Sequence, residues 1–470
     1  MKLTKFDILT IPHLKAVGFD QAKIFKIGSI SIDSRTLKSG DLFIAIPGDR
    51  FDGHNFISKA IESGASGIVV DNRWAESNPA MMVSIYVPKL VVENTIHALG
   101  HLANLYRHKF SIPVIAIGGS NGKTTTKEMV RSVLSTKYRV LSTEGNLNNH
   151  IGVPQTIFRL EKKNNIAVVE IGTNHPGEIE YLCSILEPTH GLITNIGNEH
   201  LEFFNSIEGV AEAEGELFHW LAKHRGIAFV NADEQALISL SKPVKKRVIY
   251  GFSSKSAIIK GSIQSFDSHA IATLRVKPKS KKAFELSIGA PGEHNAKNAL
   301  AAATIGLTMK VATKDIQKAL YSFHSTNKRM QVQRYGKITI LNDTYNANPD
   351  STTAALATLQ QFKTAGKKIA ILSDMLELGS EAEKMHGQIG KHISDYEINV
   401  LLTYGPLSKI LHDDAKVPTK AHFDSKDLLS EYILSIIADG DIVLVKGSRG
   451  MKMEDVVLYL GERLSQKAGS

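Results

Sequence analysis

Short runs of β-branched and other apolar residues alternate along this chain with longer stretches whose apolar positions recur at helical spacing. PVIAIGG (113–119), IAVVEIG (166–172), GLITNIG (191–197) and GIAFVNAD (226–233) form one series. KITILND (337–343), KKIAILSDM (367–375), NVLLTYG (399–405) and DIVLVKGS (441–448) form a second. Strands apolar at nearly every position need cover on both faces, and strand–helix alternation supplies it, so both series predict parallel sheets flanked by helices. Before them, GSISID and DLFIAI are shorter strands in mixed surroundings, and VENTIHALGHLANLYR opens the middle of the chain as a helix. The predicted class is α/β in three domains, the number that ordinary domain sizes give for 470 residues. They are a small α/β domain over 1–87, a central parallel-sheet domain over 88–322 and a Rossmann-like domain over 323–470. The tail from Ser465 is expected to fray.

Composition narrows the class. With 43% hydrophobic and 22% charged residues the chain reads as soluble. No window approaches the roughly 20 apolar residues of a membrane span, and MKLTKFDILT lacks a secretory core, so a cytoplasmic protein without membrane insertion is expected. Cys183, alone, excludes an intramolecular disulfide and suits a reducing compartment. The net charge of +9 does not indicate nucleic acid. The lysines are dispersed, and the dense run at 277–282 lies between the strand-like AIATLRV and AFELSI, where a solvated turn is expected. A basic surplus suits multiply anionic small-molecule substrates. A monomer is expected.

The segment GGSNGKTTTKE (118–128) joins a predicted strand to a predicted helix. A glycine-rich turn there aims backbone N–H groups and the positive helix end at an anion, and Lys123 reaches the outer phosphates. The central domain is thus of P-loop type, with Gly119, Ser120, Asn121, Gly122, Lys123, Thr124 and Thr125 as nucleotide contacts. Ile117 stands where the longer Walker pattern has glycine, so the form is the shorter G-x-x-G-K-T. Glu170 and His200 end or follow predicted strands at the same sheet edge, and with a threonine hydroxyl they suit Mg2+ beside a triphosphate. GNLNNHIGVP (145–154), DTYNANP (343–349) and KGSR (446–449) each read either as loop punctuation or as ligand contacts. In KGSR, lysine and arginine could clamp a carboxylate.

Taken together, GGSNGKTTTKE, GNLNNHIGVP, VEIGTNHPGEI, NIGNEHLEFF, GEHNAKNALAAA, NDTYNANPDS, SDMLELG and VLVKGSRGMKMEDVV closely resemble the Mur ligase family, in order and spacing from about Asp33 to about Leu460. NANPD, DMLELG and KGSR resemble its D-alanyl-D-alanine-adding branch. The resemblance implies an ATP- and Mg2+-dependent enzyme joining UDP-N-acetylmuramoyl-tripeptide to D-alanyl-D-alanine through an acyl phosphate. The N-terminal domain would hold the UDP end, the central domain ATP, and the C-terminal domain the dipeptide while closing the site. It places Lys123 on ATP, makes Glu170 and His200 magnesium ligands, to which the turn itself adds the Thr124 hydroxyl, sets Asn295 near adenine, and brings Arg329 and Asp343 to the nucleotide on closure. It sets Asn148 and Asn149 against the muramoyl peptide, Ser34 and Arg35 near the uridine diphosphate, and Tyr345, Asn346, Asn348, Ser448 and Arg449 at the dipeptide.

The chain departs from the family pattern at two places. Many members carry a carbamylated lysine in the helix after the metal histidine, and the matching position here is Glu214, which is expected to supply the negative charge itself. Its carboxylate lies three bonds nearer the backbone, roughly 3 to 4 Å short, a gap for a bridging water or a displaced metal. His150 replaces a commonly acidic residue. The rival readings are another ATP-dependent amide ligase of the superfamily, either an earlier Mur ligase or a folylpolyglutamate synthetase, and a nucleotide-dependent binding module. NANPD with KGSR disfavours the first. Glu170, His200 and the Asn-rich loop disfavour the second.

Overall fold

The computed structural model describes residues 3–18, 27–48, 51–325 and 328–468. Among them the strands fall into three sheets, and the chain divides into two compact units. The first comprises Met1–Val114, Leu141–Ile171 and Glu180–Pro188; the second comprises Ile115–Val140, Gly172–Ile179 and Thr189–Ser470.

In the first unit a five-stranded sheet runs in the order Lys15–Val17, Lys89–Val92, Gly67–Asp71, Leu42–Ile44, Ile30–Ser31. Only the edge strand Lys15–Val17 is antiparallel. Leu42–Ile44 and Lys89–Val92 are buried at every position, the pattern of strands covered on both faces. Phe43, Ile68 and Val70 close one core with Ile57 and Ala60 of the helix Ile57–Glu62. The strand Ile166–Glu170, also wholly buried, delivers Glu170 at its carboxyl end.

The second unit holds two sheets. In one, Val114–Gly118, His190–Ile193, Ile227–Asn231, Lys246–Gly251 and Ile259–Phe266 are neighbours and parallel; the apolar runs predict the first three. Beyond them Ile271–Pro278 and Phe284–Pro291 continue the sheet antiparallel, an extension the parallel reading omits. Burial there alternates residue by residue, so one face is wet and a hairpin suffices where a buried strand would need a helical crossover. The lysine run begins on the strand Ile271–Pro278, at Lys277, and continues through the expected turn before Phe284.

The other sheet runs Gln331–Tyr335, Ile338–Asp343, Ile442–Lys446, Lys368–Ser373, Val400–Tyr404, Thr419–Phe423, parallel except for its first strand. Separate apolar cores cover its two faces, one with Leu341, Leu372 and Leu444, the other with Ile340, Ile371 and Val445. The last strand in sequence is inserted between the second and third, so the strand order reverses there. The adjacent carboxyl ends at that point carry Asp343, Lys446 and the Ser373–Asp374 step, the usual ligand position in such sheets. The final helix is assigned to Ala468, and Gly469 and Ser470 lie outside the described residues. Among the described residues no helix is long and apolar enough to cross a membrane.

Candidate active site

The strand Val114–Gly118 turns into the helix Lys123–Ser135 through a loop that only glycine permits at two points. Gly119 has φ +111°, and a Cβ there would lie 2.3 Å from Thr194 Oγ1; Gly122 has φ +80°, with Asn298 Oδ1 2.9 Å from its Cβ position. The segment after the neighbouring strand braces the loop. Ser120 N–H donates to Asn195 O at 2.9 Å, Asn121 N–H to Asn195 Oδ1 at 3.0 Å, and Thr194 Oγ1 to Asn121 O at 2.7 Å.

Two carboxylates face this cradle. Gly119 N–H donates to Glu214 Oε2 at 2.6 Å, and Glu214, on the helix Ile207–Lys223, is 1% exposed. Its Oε1 is buried without a hydrogen-bond partner. Burial pushes its carboxyl up to about 7 against the attraction of Lys123, with Glu199 adding repulsion. Glu199 is likewise pushed up by burial, opposed by Lys123 and His200. Lys123 Nζ lies 3.4 Å from Glu199 Oε2 and donates to the carbonyls of Gly119 and Ser120, so the lysine is folded onto its own loop.

An orphaned carboxylate oxygen, a second buried carboxylate and one lysine form an acidic pocket short of positive charge, and this donor set fits a hard divalent cation. Among the described residues no three His, Cys, Asp or Glu side chains converge as a complete cage. Mg2+ is commonly held by one or two carboxylates with substrate phosphates and water, which an incomplete protein shell suits. Sequence reasoning passed over Glu199 although it adjoins His200; an acid beside a candidate ligand at a strand-end loop was the available signal.

The other predicted residues divide by what their side chains already hold. In the first unit, Asn148 Nδ2 donates to Glu170 Oε1 at 2.9 Å, so the Asn-rich loop orients that carboxylate. Asn149 Oδ1 accepts from Ile151 N and Gly152 N, a turn role at the start of a helix. Ser34 is buried, and Arg35 is exposed and paired with Asp33, which its guanidinium holds down to about 2.

In the second unit, Thr124 is buried in the first turn of the loop's helix, and Thr125 follows it half-buried. Asn295, 2% exposed, donates to Pro291 O at 2.7 Å. Asp343 pairs with the buried Lys446 at 2.6 Å, and Lys446 also donates to Asn346 O. That commits the lysine of KGSR inside the fold, so its reading as half of a carboxylate clamp with Arg449 is replaced by a structural pairing. Ser448 Oγ joins Ala347 O to Leu376 N and is buried. Arg329 stacks 3.8 Å from the Tyr345 ring centroid and Arg449 lies 5.5 Å from it, next to the exposed Asn346. Neither guanidinium has an ion-pair partner among the described residues. His200 Nδ1 meets Glu377 Oε2 at 2.8 Å.

Models of the Mur ligase family match three successive stretches: "Mur ligase family, catalytic domain" over 26–107, "Mur ligase middle domain" over 117–306 and "Mur ligase, glutamate ligase domain" over 328–449. The UDP-N-acetylmuramoyl-tripeptide–D-alanyl-D-alanine ligase of Haemophilus influenzae is 34% identical, over 99% of each chain. The chain belongs to the Mur ligase family. The Bacillus subtilis enzyme of the same name is also 34% identical, over 93% of each chain. The crystal structure of MurF from Acinetobacter baumannii superposes with a TM-score of 0.87 at 29% identity, over 98% of both chains. That of MurF ligase from Thermotoga maritima in complex with ADP gives 0.81 at 25%, over 94% of this chain and 99% of the other. The three-domain α/β class expected from sequence is therefore that of this Mur ligase.

Proposed function

We propose that this Mur ligase joins D-alanyl-D-alanine to UDP-N-acetylmuramoyl-tripeptide with hydrolysis of ATP to ADP and phosphate, completing the pentapeptide precursor of peptidoglycan. It works in the cytoplasm as a monomer. Residues 1–87 take the UDP end, 88–322 the nucleotide and 323–470 the dipeptide. The observation that carries the reading is the brace between Gly119 N–H, Lys123, Glu199 and Glu214, set in a chain related along its whole length to ligases of that name.

A carboxylate does not condense with an amine in water, because its oxygen is a poor leaving group. Its oxygen therefore first attacks the γ-phosphorus of ATP, ADP departs, and an acyl phosphate results. The loop amides at 119–125 and Lys123, released from its own carbonyls, neutralise the triphosphate and the developing charge. Within the second unit Thr124, His200, Glu214 and Glu199 are the residues that would hold Mg2+, which when bound offsets the repulsion between carboxylate and triphosphate. The dipeptide amine then attacks the acyl carbon, loses a proton, and phosphate leaves. Arg449, beside the Tyr345 ring, supplies positive charge for the dipeptide's terminal carboxylate, Arg329 meets the nucleotide on closure, and closure excludes water.

The test is mass spectrometry of a reaction holding ATP, UDP-N-acetylmuramoyl-tripeptide and D-alanyl-D-alanine. The expected product is the pentapeptide nucleotide, formed with one ADP per amide bond. ATP turnover indifferent to both co-substrates would overturn the reading.

A further inference from the structure

His200 and Glu377 stand 177 positions apart, and both hold backbone conformations that ordinary residues avoid. His200 has φ +49° at the head of the short helix Leu201–Phe204, and Glu377 has φ +65° in the loop after the strand Lys368–Ser373. Left-handed non-glycine residues persist where the surroundings over-determine them, and they gather at functional sites. Here each backbone turns its side chain to the other, and His200 Nδ1 lies 2.8 Å from Glu377 Oε2, within ion-pair distance but out of line for a hydrogen bond. The proximity of His200 holds the Glu377 carboxyl below its ordinary value.

The two loops are fastened at further points. Glu202 N–H donates to Glu377 O at 3.4 Å, a Cβ on Gly379 would lie 3.3 Å from Glu202 Cα, and Met385 packs on the cluster of Leu201, Phe204, Val210 and Ala213. Glu199 and Glu214, the two acids beside the phosphate loop, also attract the imidazole.

We infer that Glu377 is a positioning residue for His200. Its carboxylate takes the Nδ1–H side of the ring, which fixes the tautomer and leaves the Nε2 lone pair for the divalent cation that accompanies the nucleotide. A histidine ligand whose second nitrogen is held by a carboxylate is a recurrent arrangement, because the carboxylate both orients the ring and raises its basicity. The loop SDMLELG therefore completes the cation site only while docked on the 194–204 segment, so cation binding and docking of the C-terminal segment favour one another. This inference rests on the magnesium-nucleotide reading above.

The test uses the full-length chain with 15N-labelled histidine, free of metal, with His200→Gln identifying the His200 resonances. The Nδ1-protonated tautomer is expected in the unsubstituted protein, retained in Glu377→Gln, whose amide oxygen still accepts, and lost in Glu377→Ala. Calorimetry of ADP binding across Mg2+ concentrations supplies the second readout. In Glu377→Ala the Mg2+ needed for half-maximal tightening should rise about 10- to 100-fold, with metal-free ADP affinity unchanged, and Glu377→Gln should lie nearer the unsubstituted protein. An unaltered tautomer, an unaltered Mg2+ requirement, or an equal loss of metal-free ADP binding would each overturn it. Neither readout involves the muramoyl substrate or the dipeptide, so an error in substrate assignment leaves both intact.

Discussion

Asn348 donates its side-chain amide to Asn121 Oδ1 at 3.0 Å, which puts the N-cap of the helix Pro349–Gln361 against the tip of the phosphate loop. The same side chain accepts from Ser351 N at 2.8 Å, so both of its polar ends are engaged. Asp350 adds a second tie by accepting from Asn198 N at 2.7 Å. The NANPD motif thus links the C-terminal sheet to the nucleotide loop.

Two substitutions separate the cap from the tie. Asn348→Ala loses both and should destabilise the protein by about 1 kcal/mol, read as a lowered midpoint in urea. Asn348→Asp keeps an equivalent cap but cannot donate to Asn121. Its stability should match the parent while its KM for ATP rises.

Lys123→Met should lower turnover at least about 100-fold, the scale of losing one strong donor to developing charge. Steady-state product formation checks it. Full turnover in this variant would remove the phosphate-loop mechanism.

Glu214 gives a pH dependence with a definite sign. Burial raises its folded-state carboxyl from the ordinary 4.5 to about 7. The unfolded chain therefore gives up this proton at lower pH than the folded one, and the group's contribution to stability is full below about 4.5 and lost as pH rises to about 7. Glu214→Gln keeps an acceptor for Gly119 N–H and has no charge to bury. In nucleotide-free, metal-free protein it should match the parent at pH 4.5 and exceed it by up to about 3 kcal/mol at pH 8. Turnover should fall because the negative charge is gone. Chemical denaturation at the two pH values, beside the product assay, reads both effects.

Tyr345→Leu removes the ring under Arg329 and beside Arg449, and Tyr345→Phe keeps it. A cation–π contact is worth about 0.5 to 2 kcal/mol, so the leucine variant should raise KM for the dipeptide roughly 2- to 30-fold, with the phenylalanine variant close to the parent. Equal effects in both would assign the role to the hydroxyl.

Much of the fold is legible locally. Runs such as IAVVEIG and KKIAILSDM carry their own burial, because a strand covered on both faces must be apolar throughout, and GGSNGKT declares a phosphate turn through glycines that tolerate positive φ. The antiparallel extension at 271–291 was less legible, since alternating burial is a weaker signal than a solid apolar run. The site's second layer was not legible. Asn348 and Ser448 read in sequence as loop punctuation or ligand contacts, yet both are buried and spent on contacts with distant loops.

The sequence by itself determined the strand–helix alternation, the phosphate turn and the chemical inventory at the strand ends, because these follow from nearest-neighbour sterics and periodic burial. Tertiary structure alone decided which acids share the cradle and which are spent elsewhere: Glu199 and Glu214 beside Lys123, Lys446 inside on Asp343, and Glu377 on His200. Those pairings depend on how loops more than 70 positions apart meet in space, and on the cost of burying a charge that only a partner from elsewhere in the chain offsets.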